Sequence, residues 1–115
     1  MNYLGEPRKL VEWLSELEAY PADGWLYLKK DASSLDLTTL CWPGIVKSID
    51  LSDDEYDEME SWLEENGFKS FLSKDQIEDI VSNLGQQLSP YTDAQLLRAI
   101  RYYWENDAFF DATNA

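Results

Sequence analysis

Apolar side chains recur with helical spacing in four stretches of the chain. In each stretch they fall at i, i+3, i+4 and i+7, or at part of that series, which places them on one face of an α-helix. The predicted helices cover residues 7–20, 53–65, 73–88 and 92–106. Their apolar faces are Leu10, Trp13, Leu14 and Leu17; Tyr56, Met59 and Leu63, with Trp62 at the flank; Ile77, Ile80, Val81, Leu84 and Leu88; and Leu96, Ala99, Ile100, Tyr103 and Trp104.

Capping residues mark where these helices begin and end. Pro7 suits the first position of a helix, because that position needs no backbone N–H donor. In a capping box, a Ser or Thr side chain and a Glu or Gln side chain three residues later each satisfy the other's free backbone N–H. Three of the predicted helices begin with such a box: Ser52 with Glu55, Ser73 with Gln76, and Thr92 with Gln95. Asn66 and Gly67 are expected to end the second helix.

Runs of aromatic and aliphatic residues predict three strands, at residues 25–30, 37–42 and 68–72. Pro43 and Gly44 favour a turn after the second of these. A further strand at residues 45–49 would then close a hairpin on it.

The order of these elements predicts the fold class. Helices and strands are segregated along the chain rather than strictly alternating, which is typical of an α+β fold. The expected architecture is a small, mostly antiparallel sheet of three to four strands packed with about four helices. The length of the chain predicts a single domain over residues 1–115.

The composition gives the chain a strong negative charge. The chain has 115 residues, with 23 acidic and 9 basic side chains, a net charge of −14 and a pI near 4.1. Such a field repels nucleic acids and anionic membranes, so neither is expected as a partner, and it speeds encounters with cationic surfaces. The single cysteine, Cys41, allows no internal disulfide. Together with the lack of a signal segment or an apolar run long enough to span a bilayer, this predicts a cytoplasmic protein.

Residues that usually carry catalysis are scarce. There is no histidine, which removes the commonest general base and metal ligand. Cys41 lies in an apolar predicted strand and is expected to be a small buried hydrophobe. The carboxylates near Asp53 do not follow the spacing of an EF-hand loop, and solvated helical carboxylates lack the raised pKa of a glycosidase acid. We therefore expect no catalytic residue, no bound metal and no cofactor.

The second helix is the candidate functional element. Residues 50–67 contain nine acidic residues and no Lys or Arg, and like charges at i,i+4 repel by roughly 0.2–0.5 kcal/mol per pair. One interpretation is a solvated face of an acidic protein. The other is a surface kept negative for a basic partner, with an aromatic side chain as anchor. The candidate partner-binding residues are Asp53, Asp54, Tyr56, Asp57, Glu58, Glu60, Trp62, Glu64 and Glu65.

The C-terminal aromatic residues form a second candidate contact surface. Tyr102 lies beside Arg98 and Arg101 and off the apolar face of the last helix. Tyr and Arg are enriched at interface hot spots, although a surface tyrosine with satisfied contacts is the plainer interpretation. The segment after the helix, residues 108–110, either docks on the domain or extends away from it.

Several segments resemble a family of small, acidic, uncharacterised bacterial proteins. These segments are WLYL at residues 25–28, LDLTTLC at 35–41, LSKDQIEDIVSN at 72–83 and YYWENDAF at 102–109. The overall form is also similar to immunity proteins of bacterial toxin systems, including contact-dependent growth inhibition. That resemblance implies a small cytosolic α+β protein that binds and blocks a cationic, nuclease-type toxin.

Two functions follow as hypotheses. The favoured one is an immunity protein that is not an enzyme and covers the substrate site of a basic toxin domain with its acidic helix. The alternative is a structural or regulatory adaptor that self-associates through the C-terminal aromatic residues. Fold resemblance alone does not fix function, and the sequence leaves the partner's identity and the oligomeric state open.

Overall fold

The chain folds as an α+β protein, as its sequence predicts. A computed structural model describes residues 2–19, 24–32, 34–46 and 50–111, and within them it shows a four-stranded antiparallel sheet and four α-helices. The elements are β1 (Arg8–Lys9), α1 (Leu10–Ser15), a 3-10 helix (Leu17–Ala19), β2 (Trp25–Lys29), β3 (Leu40–Pro43), α2 (Asp53–Glu65), β4 (Phe68–Ser73), α3 (Lys74–Gln87) and α4 (Asp93–Asn106).

The strands are ordered β1-β3-β2-β4 across the sheet, and every neighbouring pair is antiparallel. The two central strands, β3 and β2, pair through Tyr27 and Trp42. Where β4 pairs with β2 the register shifts by one residue, so that Phe71 and Leu72 together oppose Leu26. Such an extra residue is a β-bulge. It brings Phe71 and Leu72 into the same buried core, although successive side chains of a regular strand point to opposite faces.

Both faces of the sheet are covered, and α2 covers one of them. Leu26 and Leu28 of β2 lie in the larger core, together with side chains of α1, α3 and α4. Tyr27 points the opposite way into a smaller core, where it packs with Met59 and Leu63 of α2. Among the described residues, α2 is the only helix that contributes side chains to this smaller core.

The limits of α2 agree with the prediction, because local sequence sets them. The amide of Glu55 donates to the Ser52 hydroxyl at 3.3 Å, and the amide of Ser52 donates to the Glu55 carboxylate at 3.1 Å. At the other end Gly67 has a φ of 77°, which favours glycine because other side chains are strained there. The capping boxes that open α3 and α4 also form as predicted.

The first helix is shorter than predicted, and Pro7 does not begin it. The two residues before Leu10 form β1 instead, and the helix ends at Ser15, followed by the 3-10 turn. The amide of Leu10 donates to the carbonyl of Thr39 at 2.9 Å. The loop before β3 therefore satisfies an N–H that a free helix end would leave without a partner, and the preceding residues stay extended along β3. The predicted end at Tyr20 lies outside the described residues.

The second predicted strand, residues 37–42, begins further along the sequence than expected, as β3 (Leu40–Pro43). Asp36 accounts for the later start, because its Oδ1 atom accepts hydrogen bonds from the backbone N–H and the hydroxyl of Thr38 at 2.7 and 2.6 Å. An Asp side chain that binds the backbone two residues ahead imposes a turn. The turn occupies the first part of the predicted strand.

The predicted strand at residues 45–49 does not form in its described part, where the backbone bends. The N-terminal segment, residues 3–5, lies beside the end of β3 in the place expected for that strand. The amide of Gly5 donates to the carbonyl of Pro43 at 2.8 Å, and the amide of Ile45 donates to the carbonyl of Tyr3 at 3.0 Å. Pro43 thus continues β3 rather than opening a hairpin. The rest of the predicted strand lies outside the described residues.

The C-terminal segment docks on α4, which answers a question that the sequence left open. The rings of Phe109 and Phe110 contact Tyr103 and Tyr102, with centroid distances of 5.4 and 5.5 Å. The side-chain amide of Gln87 donates to the carbonyl of Phe110 at 2.9 Å. The segment is therefore held to both α3 and α4.

Cys41 is fully buried in β3, as predicted. Its backbone carbonyl accepts a hydrogen bond from the indole nitrogen of Trp13 at 2.9 Å, which ties α1 to the sheet. Burial raises the pKa of the Cys41 thiol to about 12, because a buried thiolate would lose its hydration. The thiol is thus both covered and held in its unreactive protonated form.

Thiol labelling of the native protein is expected to be slow even at alkaline pH. The thiolate is the reactive species, and with a pKa of about 12 the folded protein keeps the thiol protonated at pH values where an ordinary cysteine is ionised. The measurement is the rate of reaction with a chromogenic disulfide reagent, with and without denaturant. Fast labelling of the folded chain would show that Cys41 is accessible.

Candidate partner-binding surface

The carboxylates of α2 lie on its solvent side. Met59 and Leu63 are buried against the sheet, so the opposite side of the helix faces outward. The seven acidic residues predicted to bind a partner are all exposed: Asp53, Asp54, Asp57, Glu58, Glu60, Glu64 and Glu65. Because both ends of α2 are capped and its inner side is packed, these carboxylates extend from a fixed backbone.

Trp62 lies at the edge of α2 and is half-buried. Its ring meets Tyr3 edge-on with a centroid distance of 5.5 Å and lies parallel to Phe68 at 6.1 Å. Phe68 in turn meets Trp42 at 5.1 Å. We call these four side chains the aromatic row. Aromatic pairs at such distances contribute about 0.5–1.5 kcal/mol each beyond the area they bury, so the row is a firmly held part of the surface.

Tyr56 is not part of the buried face of α2, and the prediction that it packs in the core is wrong. Its side chain is 40% exposed. Partial burial, and then a hydrogen bond to the Glu60 carboxylate one turn later, raise the pKa of Tyr56. The carboxylate that accepts this hydrogen bond belongs to an exposed residue. Tyr56 therefore stays available as a contact residue, as its place among the candidate partner-binding residues requires.

Glu64 is the candidate carboxylate that has a basic partner among the described residues. It forms an ion pair with Lys30, which follows β2. The backbone amide of Lys30 also donates to the carbonyl of Gly67 at 2.7 Å. Both charged side chains are more than half exposed, so the ion pair stabilises the fold by at most about 1 kcal/mol. Its main effect is local, because it reduces the charge available at Glu64 and holds the end of α2 beside β2.

A shallow depression of about 370 Å³, here called the α2 depression, opens between α2 and the N-terminal segment. It is lined by Tyr3, Asp57, Glu58, Ser61, Trp62 and Glu65. Three of the predicted carboxylates thus converge on the Tyr3–Trp62 end of the aromatic row, and none of these lining residues is basic. A second depression of about 500 Å³ shares Trp62 and includes Trp42 and Phe68 in its lining.

Sequence patterns miss three residues of this surface: Tyr3, Trp42 and Phe68. Trp42 and Phe68 fall within predicted strands, but a strand pattern does not show which neighbour their rings will meet. Tyr3 gives no signal at all, because it precedes every predicted element. Only the pairing of the N-terminal segment with the end of β3 brings it to Trp62.

A separate depression of about 530 Å³ lies on the outer side of α4, behind the sheet face opposite to α2. Arg98, Arg101, Tyr102 and Phe110 contribute to its lining. The guanidinium of Arg98 lies 5.0 Å from the centre of the Phe110 ring, a distance at which a cation and an aromatic face attract each other. Tyr102, the second candidate contact residue, is 39% exposed there.

Within the described ranges no group of three or more His, Cys, Asp or Glu side chains is placed to hold a metal ion. No described helix combines the length and the apolar character that crossing a bilayer demands. The carboxylates of α2 instead project along the outside of the helix, where they act as surface charges.

These observations define an α+β protein in which the acidic α2 is the only described helix on one face of a small antiparallel sheet. The chain belongs to the family described as Domain of unknown function (DUF7716), which matches residues 7–112. The match confirms the predicted resemblance to a family of small uncharacterised domains. It covers α2 and most of the aromatic row but begins after Tyr3. Neither the curated proteins nor the solved structures include one that matches the chain.

Proposed function

We propose that this chain is an acidic cytoplasmic binding protein, an immunity protein that neutralises a cationic, nuclease-type bacterial toxin. The observation that carries the proposal is the α2 depression, where three carboxylates meet two half-buried aromatic rings. Carboxylates attract a basic surface from a distance, and aromatic side chains supply the contact area that retains it. The rings also pack against the smaller core, which holds them in place beside the carboxylates.

The surface is formed before any partner arrives. The capping box at Ser52, the turn at Gly67 and the ion pair of Lys30 fix α2 at its ends, and the smaller core fixes its inner side. Binding therefore orders few groups, and little affinity is lost to that cost.

The proposed mechanism is occlusion. A nuclease binds phosphates through a basic surface, and the carboxylates of α2 present negative charge to that same surface. The strong net charge of the chain argues against nucleic acid or an anionic membrane as a direct partner. No catalytic residue, metal or cofactor takes part in this function.

Co-expression with the genes that neighbour the gene of this chain tests the proposal. Each neighbour is induced in a bacterial host, alone and together with the chain. We expect one neighbour to encode a basic protein that arrests growth, and the chain to restore growth by forming a complex that gel filtration of the purified pair detects. Growth arrest that persists while the chain is expressed and folded would contradict the proposal.

The alternative function, a self-associating adaptor, is favoured by a different observation. Tyr102 is 39% exposed and lines the depression on α4 with Arg98 and Arg101. Phe109 of the C-terminal segment is 45% exposed. Aromatic residues and Arg are enriched in protein–protein interfaces. Under this alternative, two copies associate through α4 and α2 remains a solvated face.

If the adaptor function is correct, the chain forms a dimer that Tyr102→Ala dissociates. Tyr56→Ala is a matched control, because Tyr56 is similarly exposed but lies on α2. Light scattering over a concentration series measures the mass of each variant. A chain that stays monomeric over the series, or a dimer that Tyr102→Ala leaves intact, would remove this alternative.

A further inference from the structure

The two ends of the aromatic row differ in the charges that surround them. At one end the Lys29 ammonium lies 4.3 Å from the ring centre of Phe68 and 5.2 Å from that of Trp42. This fold therefore already holds a cation against its own aromatic rings. At the other end, Tyr3 and Trp62 line the α2 depression together with carboxylates.

We infer that the α2 depression is the binding site for an arginine side chain of the cationic partner. The inference rests on the proposed function and deepens it, because it names the group that the surface recognises. The guanidinium would lie against the rings of Tyr3 and Trp62 and donate hydrogen bonds to the surrounding carboxylates.

Both kinds of group at the depression suit a guanidinium. It is planar, stacks on aromatic faces and presents several N–H donors in a fixed fork that matches carboxylates. Asp57, Glu58 and Glu65 offer acceptors beside the rings. A lysine ammonium would meet the same charges, but it has no flat surface to lie against Trp62. The depression is shallow and open, so it can receive a side chain that projects from a partner's surface.

The test uses three blocked tripeptides with the folded full-length chain. Their central residues are arginine, lysine, and citrulline, which is the uncharged counterpart of arginine. Binding is followed by the ¹⁵N–¹H signal of the Trp62 indole, which is assigned by its loss in Trp62→Phe. We expect a saturable shift with the arginine peptide, an affinity roughly threefold or more weaker for the lysine peptide, and no shift with the citrulline peptide.

A charge-matched pair of variants locates the site. The double variant Glu58→Gln/Glu65→Gln is expected to bind the arginine peptide with an affinity roughly fivefold or more lower, because both carboxylates line the depression. Asp79→Asn with Glu105→Gln removes the same charge from exposed positions on α3 and α4 and should leave the affinity nearly unchanged. The dispersion of the amide spectrum reports whether each variant is folded.

Several results would overturn the inference. Equal affinity for the arginine and lysine peptides would show attraction to net charge alone, as would equal losses in the two double variants. A Trp62 signal that does not respond would place the contact elsewhere. If the chain neutralises a toxin but the arginine peptide does not shift the Trp62 indole signal, this inference fails and the proposed function stands. If the arginine peptide binds as expected but no neighbouring toxin is neutralised, the proposed function fails and the arginine site remains.

Discussion

Neutralising Asp57, Glu58 and Glu65 together is expected to slow association with the proposed cationic partner by about tenfold at low ionic strength, because charge complementarity mainly sets the encounter rate. The three carboxylates are exposed and line the α2 depression. The variant Asp57→Asn/Glu58→Gln/Glu65→Gln keeps the shape of each side chain. Stopped-flow or surface-based kinetics over a salt series measure the effect.

The dependence of the association rate on ionic strength distinguishes a loss of charge attraction from a change in the shape of the surface. The Debye length falls from about 10 Å at 0.1 M ionic strength to about 3 Å at 1 M, so the wild-type rate should fall steeply over that range. The rate of the triple variant should fall less, and the two should converge at high salt. Asp31→Asn/Asp79→Asn/Glu105→Gln is the control, since it removes three exposed charges that do not line the depression.

The same triple variant should be slightly more stable than the wild type. Asp57 and Glu58 each lie four residues after another acidic residue of α2, and relief of such repulsion contributes roughly 0.2–0.5 kcal/mol per pair. Glu65 is the last residue of α2, where a negative charge opposes the helix dipole. Association that is unchanged in this variant, with stability raised, would mean that the carboxylates are only a solvated face.

Ile100→Ala is expected to lower the free energy of unfolding by about 2–5 kcal/mol, the usual cost of removing a large buried aliphatic side chain and leaving a cavity. Ile100 lies on α4 and is fully buried in the larger core. The cost is a large part of the 5–15 kcal/mol that typically separates folded from unfolded states. Denaturant titration followed by circular dichroism measures it.

The control for this prediction uses the same substitution at an exposed site. Ile45 is 58% exposed, so Ile45→Ala should change the unfolding free energy by no more than about 0.5 kcal/mol. Equal denaturant midpoints for Ile100→Ala and the wild type would show that α4 does not pack as the structure places it. Loss of Ile100 is not expected to change the charge pattern of α2.

Helix limits are predictable in this chain where the signal is local. The capping boxes at Ser52, Ser73 and Thr92 each join residues only three positions apart, and all three form. The limits of α1 depend instead on a hydrogen bond from Leu10 to Thr39. No pattern near Pro7 reveals that bond, because its acceptor lies in a loop about thirty residues away in the sequence.

The residues of the candidate surface are likewise predictable where they depend on local sequence and not where they depend on tertiary contacts. Its carboxylates are predictable because an α-helix shows every residue opposite its buried face. Tyr56 departs from the prediction, because its side chain is 40% exposed and its phenol hydrogen-bonds to the exposed Glu60 carboxylate. Tyr3 is not predictable, because only tertiary pairing with the end of β3 carries it to Trp62.

The bulge in β4 constrains the length of this strand as well as its composition. Phe68 belongs to the smaller core beneath α2, whereas Phe71 and Leu72 both belong to the larger core. Deleting either bulge residue would restore strict alternation and turn Ser73, with the start of α3, toward the wrong side of the sheet. Insertions and deletions during evolution should therefore collect in loops and avoid the six residues of β4.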